Sequence, residues 1–153
     1  TKNRVQTFYD GEGTSVAHVE MTNPYCPRLM KQFKSHYEQF EIAYKGEAVY
    51  LCTEGPRFET AAEIKMYRLL GGDIVGMTNV PESVLAKELG MCYSAVGVIT
   101  NWCTGIEGKN INGHLISASM NKNKDALTRL FITLLSQPEA EEKCKCDQSL
   151  IIL

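Results

Sequence analysis

The stretch Ala48-Val49-Tyr50-Leu51-Cys52-Thr53-Glu54-Gly55-Pro56 decides the fold class, because five residues without polar alternation run straight into a turn. A continuous apolar run of that length reads as a strand covered on both faces. After the turn, Ala62, Met66, Leu69 and Leu70 recur at helical spacing until Gly71-Gly72 stops the helix. Asp73-Ile74-Val75-Gly76-Met77 then returns to a short apolar run, so the order is strand, helix, strand.

The same alternation continues outward in both directions. Upstream, Val16 to Met21 is an apolar-rich strand, and Asn23-Pro24 turns the chain into a helix whose Leu29, Met30, Phe33 and Tyr37 share one face. Downstream, Pro81 suits the first turn of a third helix, with Val84, Leu85 and Leu89 inward and Gly90 as its stop. Cys92 to Ile99 is again continuously apolar and reads as a strand. Glu107 to Gly113 is a polar loop, and a last amphipathic helix carries Leu127, Leu130, Phe131, Leu134 and Leu135 before Pro138 ends it. The pattern is α/β: a layered mixed sheet flanked by helices. Residues 1–138 form the domain and residues 139–153 a charged tail, whose last residues, Leu150-Ile151-Ile152-Leu153, are unusually apolar.

Composition sets the outer bounds. The chain has 153 residues, 44% hydrophobic and 22% charged, enough for one globular domain with a core. Sixteen Lys and Arg against 18 Asp and Glu give a formal charge of −2, which offers no broad positive field for nucleic acid or an acidic membrane. No apolar run approaches the roughly 20 residues of a bilayer span, and no apolar signal segment follows Thr1, so a cytoplasmic chain is expected.

The six cysteines are too sparse and irregular for a secreted disulfide framework. Cys52 and Cys92 read as small buried hydrophobes. Cys144-Lys145-Cys146 lies in a charged stretch expected to be exposed. It can form a strained disulfide or supply two metal ligands, but no second C-x-C or paired His lies near it in sequence, so no metal site is expected.

In open α/β sheets the ligand crevice lies beyond the carboxyl ends of the strands. Three segments occupy such places: Thr53 to Thr60, Gly76-Met77-Thr78-Asn79, and Thr100-Asn101-Trp102-Cys103-Thr104-Gly105. Each also reads as an ordinary turn, with Glu59 merely favouring a helix N-terminus.

The run EGPRFETAAEIKMYRLLGGDIVGMTNVPESVLAKELGMCYSAVGVITN, with TFYDG and AHVEMTNPYCP upstream, resembles the second half of the purine nucleoside phosphorylase and methylthioadenosine phosphorylase family. The resemblance covers nearly all of residues 5–106. It implies a nucleoside phosphorylase-like fold, here an incomplete portion, and phosphorolysis of a purine nucleoside to free base and ribose 1-phosphate. It implies no cofactor beyond inorganic phosphate as co-substrate, and a homotrimer or a hexamer of trimers. Carried over by motif, Phe58 stacks on the purine, Met77 lies against the ribose, Thr78 reaches the phosphate, and His18 borders the 5′ substituent. Further 5′ partners fall between Asn112 and Met120, with His114 and Leu115 both open.

The base pocket can be argued chemically. A 6-oxopurine presents an N1 hydrogen and an O6 acceptor, whereas a 6-aminopurine presents the opposite. Glu59 as a carboxylate only accepts, and the Asn101 amide can donate to O6 or N7. Glu59 and Asn101 resemble the oxopurine branch of the family, and Cys103 stands where the adenosine branch tends to carry a second acid. With a methylthio-type 5′ pocket, the combination resembles S-methyl-5′-thioinosine phosphorylases, with inosine and guanosine as further substrates. Asn101 is the catalytic candidate, since a donor at N7 and O6 stabilises charge on the departing base.

The family's glycine-rich loop and Arg-His pair, which supply most of the phosphate cradle, have no match in this chain. Thr1 falls near the middle of the family pattern, and the expectation is part of a longer protein, inactive alone. Methylthioadenosine phosphorolysis and a non-catalytic nucleoside-binding or assembly module are the alternatives.

Overall fold

A computed structural model of the chain describes residues 4–11, 13, 15–106, 111–137 and 143–153. Pro138 and the 138/139 boundary, most of the loop from Glu107, and the first part of the tail lie outside them. The described residues form an α/β arrangement of four strands and four α-helices.

Strand β1 (Ala17–Val19) is followed by α1 (Pro27–Lys34). Pro27 opens α1 at a position where its missing N–H costs nothing, and Lys31 and Lys34 favour its negative end. Tyr37 lies beyond this helix, in a 3₁₀ turn, where it stacks with Phe33 and Tyr44. Strand β2 (Tyr50–Cys52), helix α2 (Ala61–Leu69) and strand β3 (Ile74–Gly76) make the expected unit, and β2 and β3 pair in parallel with Leu51 opposite Val75. Helix α3 (Asn79–Glu88) packs against both β2 and β1. Helix α4 (Gly113–Ser136) starts well before its apolar stretch, capped by the Asn112 side chain accepting from the His114 N–H.

The tail is not a loose appendage. Its apolar end forms β4 (Leu150–Ile152), which pairs antiparallel with β1, placing His18 opposite Ile151. An open edge of β1 offers ladder hydrogen bonds, and the apolar run takes them while Ile151, Ile152 and Leu153 stay exposed; the expected exposure is corrected only at the cysteines, since Cys146 is buried and Cys144 half-buried. Lys87 and Glu88, both buried on α3, hold the flanking segments. Lys87 Nζ donates to Ser149 Oγ at 3.0 Å, and Glu88 Oε2 accepts from the Phe8 N–H at 2.7 Å.

Other expectations also change. Cys92 to Ile99 forms no strand; it runs beside β3, where Gly97 sits close to Ile74, without entering a ladder. On α3 the buried residues are Pro81, Ser83, Ala86, Lys87 and Glu88, while Leu89 is exposed. Leu130 is fully buried on α4, but Phe131 and Leu135 face outward. Cys52 and Cys92 are half-buried.

The two buried cysteines are Cys26, the residue before α1, and Cys146 in the tail. Cys92 and Cys144 join them, and all four sulfur atoms lie within 4.8 Å of one another. The ground for expecting no metal ligands near Cys144 and Cys146, their isolation in sequence, therefore does not hold in space.

Candidate functional site

Strands β2 and β3 end side by side, so the residues that follow them meet at the end of the sheet where α/β folds open a ligand crevice. The Thr53 N–H donates to the Gly76 carbonyl at 2.8 Å, which carries the parallel pairing one residue beyond the strands. Thr53 Oγ1 donates to Glu59 Oε1 at 2.9 Å, so the residue that ends β2 fixes the carboxylate that precedes α2. Gly55 closes the turn with φ of +66°, and a Cβ there would meet the Met77 sulfur at 2.7 Å. The left-handed backbone is what calls for glycine here, since the flexible end of the Met77 side chain can move aside.

Helix α2 begins at a reciprocal cap. Thr60 Oγ1 accepts from the Glu63 N–H at 3.2 Å while Glu63 Oε2 accepts from the Thr60 N–H at 2.7 Å. Arg57 adds a two-pronged ion pair to Glu63, at 2.8 and 2.7 Å, and donates to the Phe58 carbonyl. Phe58 is thereby held at the crevice with its ring more than half exposed. The sequence Thr60-Ala61-Ala62-Glu63 is the signature of this cap, and it assigns the helix start to Thr60 rather than to Glu59.

Thr78 stands at the N-cap of α3, and its side chain makes no capping bond. Its backbone N–H donates to Tyr50 Oη at 3.4 Å. The next residue, Asn79, donates to Tyr25 Oη at 3.1 Å and accepts from Tyr93 Oη, whose hydroxyl also bonds Glu82. Burial pushes the Tyr93 phenol well above its usual range, with the Glu82 hydrogen bond adding to it. Arg4 carries no sequence signal for its place here. Its guanidinium donates to the Met77 carbonyl and, at 3.2 Å, to the Glu54 carbonyl, so it spans the ends of both strands.

The third segment closes on the first. Gly105 lies against Ala61, so close that a Cβ on it would overlap the Ala61 side chain. The Cys103 thiol is pushed up by burial and, second, by the Glu59 charge, so Cys103 belongs to the Glu59 side of the crevice as a neutral thiol. Asn101 has its Oδ1 held by Thr100 Oγ1 at 2.7 Å, and one amide hydrogen goes to the Trp102 carbonyl at 2.9 Å. An amide nitrogen carries two hydrogens, so the second can serve a ligand.

Phe58, Glu59, Met77 and Thr78 thus stand at the ends of β2 and β3, with Cys103 on the Glu59 side and Gly105 against Ala61, while the hydrogen bonds of Asn101 stay within its own segment, to Thr100 and Trp102. His18 does not join that sheet; it is exposed on β1, paired across to β4. His114 and Leu115 both lie in the first turn of α4. A cavity of about 890 Å³, lined by residues including Phe33, Tyr44, Val96 and Leu127, reaches β2 at Tyr50 and the start of α3 at Asn79.

Residues 1–136 match the phosphorylase superfamily. The 6-oxopurine nucleoside phosphorylase of Pyrococcus furiosus is 42% identical, aligned over 98% of this chain and 58% of its own length. The probable S-methyl-5′-thioinosine phosphorylase of Methanocaldococcus jannaschii shows the same identity, over 98% of this chain and 58% of its own. Among solved structures, a methylthioadenosine phosphorylase from an Antarctic soil metagenomic library superposes with a TM-score of 0.79 at 31% identity, covering 97% of this chain and 54% of that one. The chain spans little more than half the length of these relatives, and its fold is a portion of the nucleoside phosphorylase fold.

Proposed function

We propose that this chain, which belongs to the phosphorylase superfamily, supplies the base and sugar site for phosphorolysis of a 6-oxopurine nucleoside, with S-methyl-5′-thioinosine as the first substrate and inosine and guanosine as further ones. The observation that carries the reading is Glu59: a carboxylate with one oxygen held by Thr53 and the other able to accept a base N1 hydrogen. The names of the Pyrococcus and Methanocaldococcus relatives support the same substrate class.

In this reading Phe58 stacks on the base, Cys103 borders it, and the Met77 side chain packs on the ribose. Thr78 holds phosphate with its uncommitted hydroxyl at the positive end of α3. His18 borders the 5′ group from the β1–β4 sheet, which α3 joins to β2. As the glycosidic bond breaks, negative charge spreads over the purine, and the free Asn101 hydrogen meets it at N7 or O6. Inorganic phosphate is the attacking co-substrate. A homotrimer and a cytoplasmic setting belong to the same reading.

The test is phosphate-dependent base release by the whole protein. Hypoxanthine from S-methyl-5′-thioinosine or inosine should far outrun adenine from methylthioadenosine; the reverse order would assign the adenosine reaction instead. Asn101→Ala should fold normally and lose about 10²- to 10³-fold in kcat. A loss of only a few-fold would remove Asn101 from the chemistry.

A further inference from the structure

Four thiols from three distant parts of the chain converge, and none of them belongs to the residues assigned to the nucleoside. Cys26 immediately precedes α1, Cys92 follows α3, and Cys144 and Cys146 come from the tail. Their sulfur atoms all lie within 4.8 Å of one another, and Cys92 Sγ is 3.2 Å from Cys144 Sγ. None of them is in a disulfide. From this convergence we propose that Cys26, Cys92, Cys144 and Cys146 form a structural zinc site that fastens the tail to the body of the fold.

The geometry fits the ion. A tetrahedral tetrathiolate with Zn–S bonds of about 2.3 Å has sulfur–sulfur edges of about 3.8 Å, within reach of this cluster by small rotations of the side chains. Cys26 and Cys146 are 1% and 5% exposed, so the centre is closed, as structural zinc sites are, with no open position for a substrate. An all-sulfur donor set selects a soft, thiophilic cation over magnesium or calcium.

The surroundings also fit the charge. Binding converts Zn²⁺ and four thiols into a tetrathiolate of charge −2 and releases four protons, with no electron transferred. Arg28 Nη2 already lies 3.5 Å from Cys92 Sγ, and the positive end of α1 begins at Cys26. The Cys26 N–H donates to the Tyr93 carbonyl at 2.7 Å, which fixes two of the ligand-bearing segments to each other before any ion arrives. The structural consequence falls on β4: residues 144 and 146 lead directly into the strand that pairs with β1, so the ion would hold the sheet that carries His18.

The whole protein, purified under reducing conditions and dialysed, should carry one zinc per chain by elemental analysis. Cobalt exchanged into it should give the intense sulfur-to-metal charge-transfer bands of a tetrahedral thiolate site. Cys146→Ser and Cys26→Ser should lose the metal, whereas Cys52→Ser should keep it. If the serine variants do not fold, the cobalt spectrum of the unaltered protein decides. Reduced protein that holds no zinc and shows no cobalt charge-transfer band overturns the proposal. So does an intact mass showing the four cysteines as two disulfides in protein isolated without added oxidant.

Discussion

Glu59 enters the crevice with one carboxylate oxygen already engaged, because Thr53 Oγ1 donates to Oε1 at 2.9 Å. That bond orients the carboxylate and leaves Oε2 as the acceptor for a base. Glu59→Gln keeps the shape but offers an NH₂ where an acceptor is required. A hydrogen bond to a charged group contributes about 1.5–3 kcal/mol, so kcat/KM for inosine should fall about 10- to 100-fold. Steady-state phosphorolysis measures it, and an unchanged value would detach Glu59 from base recognition. The position of Phe58, Glu59, Met77 and Thr78 at the ends of β2 and β3 is legible in the sequence, because they follow apolar runs that form strands; the run before Asn101 has the same pattern but forms no strand. Thr53 and Arg4 are not so legible. A hydroxyl at a strand end looks like any turn residue, and the contact of Arg4 with the Met77 carbonyl joins residues far apart in sequence, which no local pattern encodes. His18 sits in a motif as long as the others, yet the fold puts it on the β1–β4 sheet.

At the scale of elements, α2 shows what a cap adds to a helix with little buried surface. Only Ile64 is buried on it, while Met66, Leu69 and Leu70 are exposed, so local interactions carry more of its stability than packing does. Thr60→Ala removes one half of the reciprocal cap and should lower the stability of the protein by about 1 kcal/mol in urea unfolding. The Glu63 carboxyl is held down to about 2, first by the Arg57 guanidinium and then by the Thr60 N–H. A depressed acid binds fewer protons folded than unfolded, so its contribution is fully present above its ordinary value of 4.5 and is lost as pH falls toward about 2. Arg57→Ala should therefore flatten the acid side of the stability profile between about pH 5 and pH 2 and leave its neutral side nearly flat; an unaltered acid slope would show that the pair does not couple to folding. The helix α3 teaches the opposite lesson about legibility. A helical wheel puts Leu89 inside and Lys87 and Glu88 outside, but Ser149 and the Phe8 N–H supply the partners that let the charges be buried. Burial of a polar group follows from its hydrogen bonds, and these partners come from opposite ends of the chain.

For the molecule as a whole, accessible surface is the informative quantity. The chain exposes 11031 Å² at 17.1 kDa, whereas a compact monomer of that mass exposes about 7,750 Å². The excess of about 3,300 Å² is several times the roughly 800 Å² that one partner contributes to a standard interface. It is apolar in many places: Leu69 is 88% exposed, Leu135 85% and Leu70 73%, on the outer faces of α2 and α4. An apolar surface of that extent is covered in a soluble assembly, by further chain of the same fold or by another subunit. The 153-residue polypeptide by itself should accordingly bind the dye ANS strongly and associate with rising concentration in sedimentation velocity. The whole protein should bind little dye and sediment as one defined species. If the isolated polypeptide instead ran as a dye-silent monomer across the concentration series, the exposed faces of α2 and α4 would have to fold inward in solution, and the assembly drawn from them would fall.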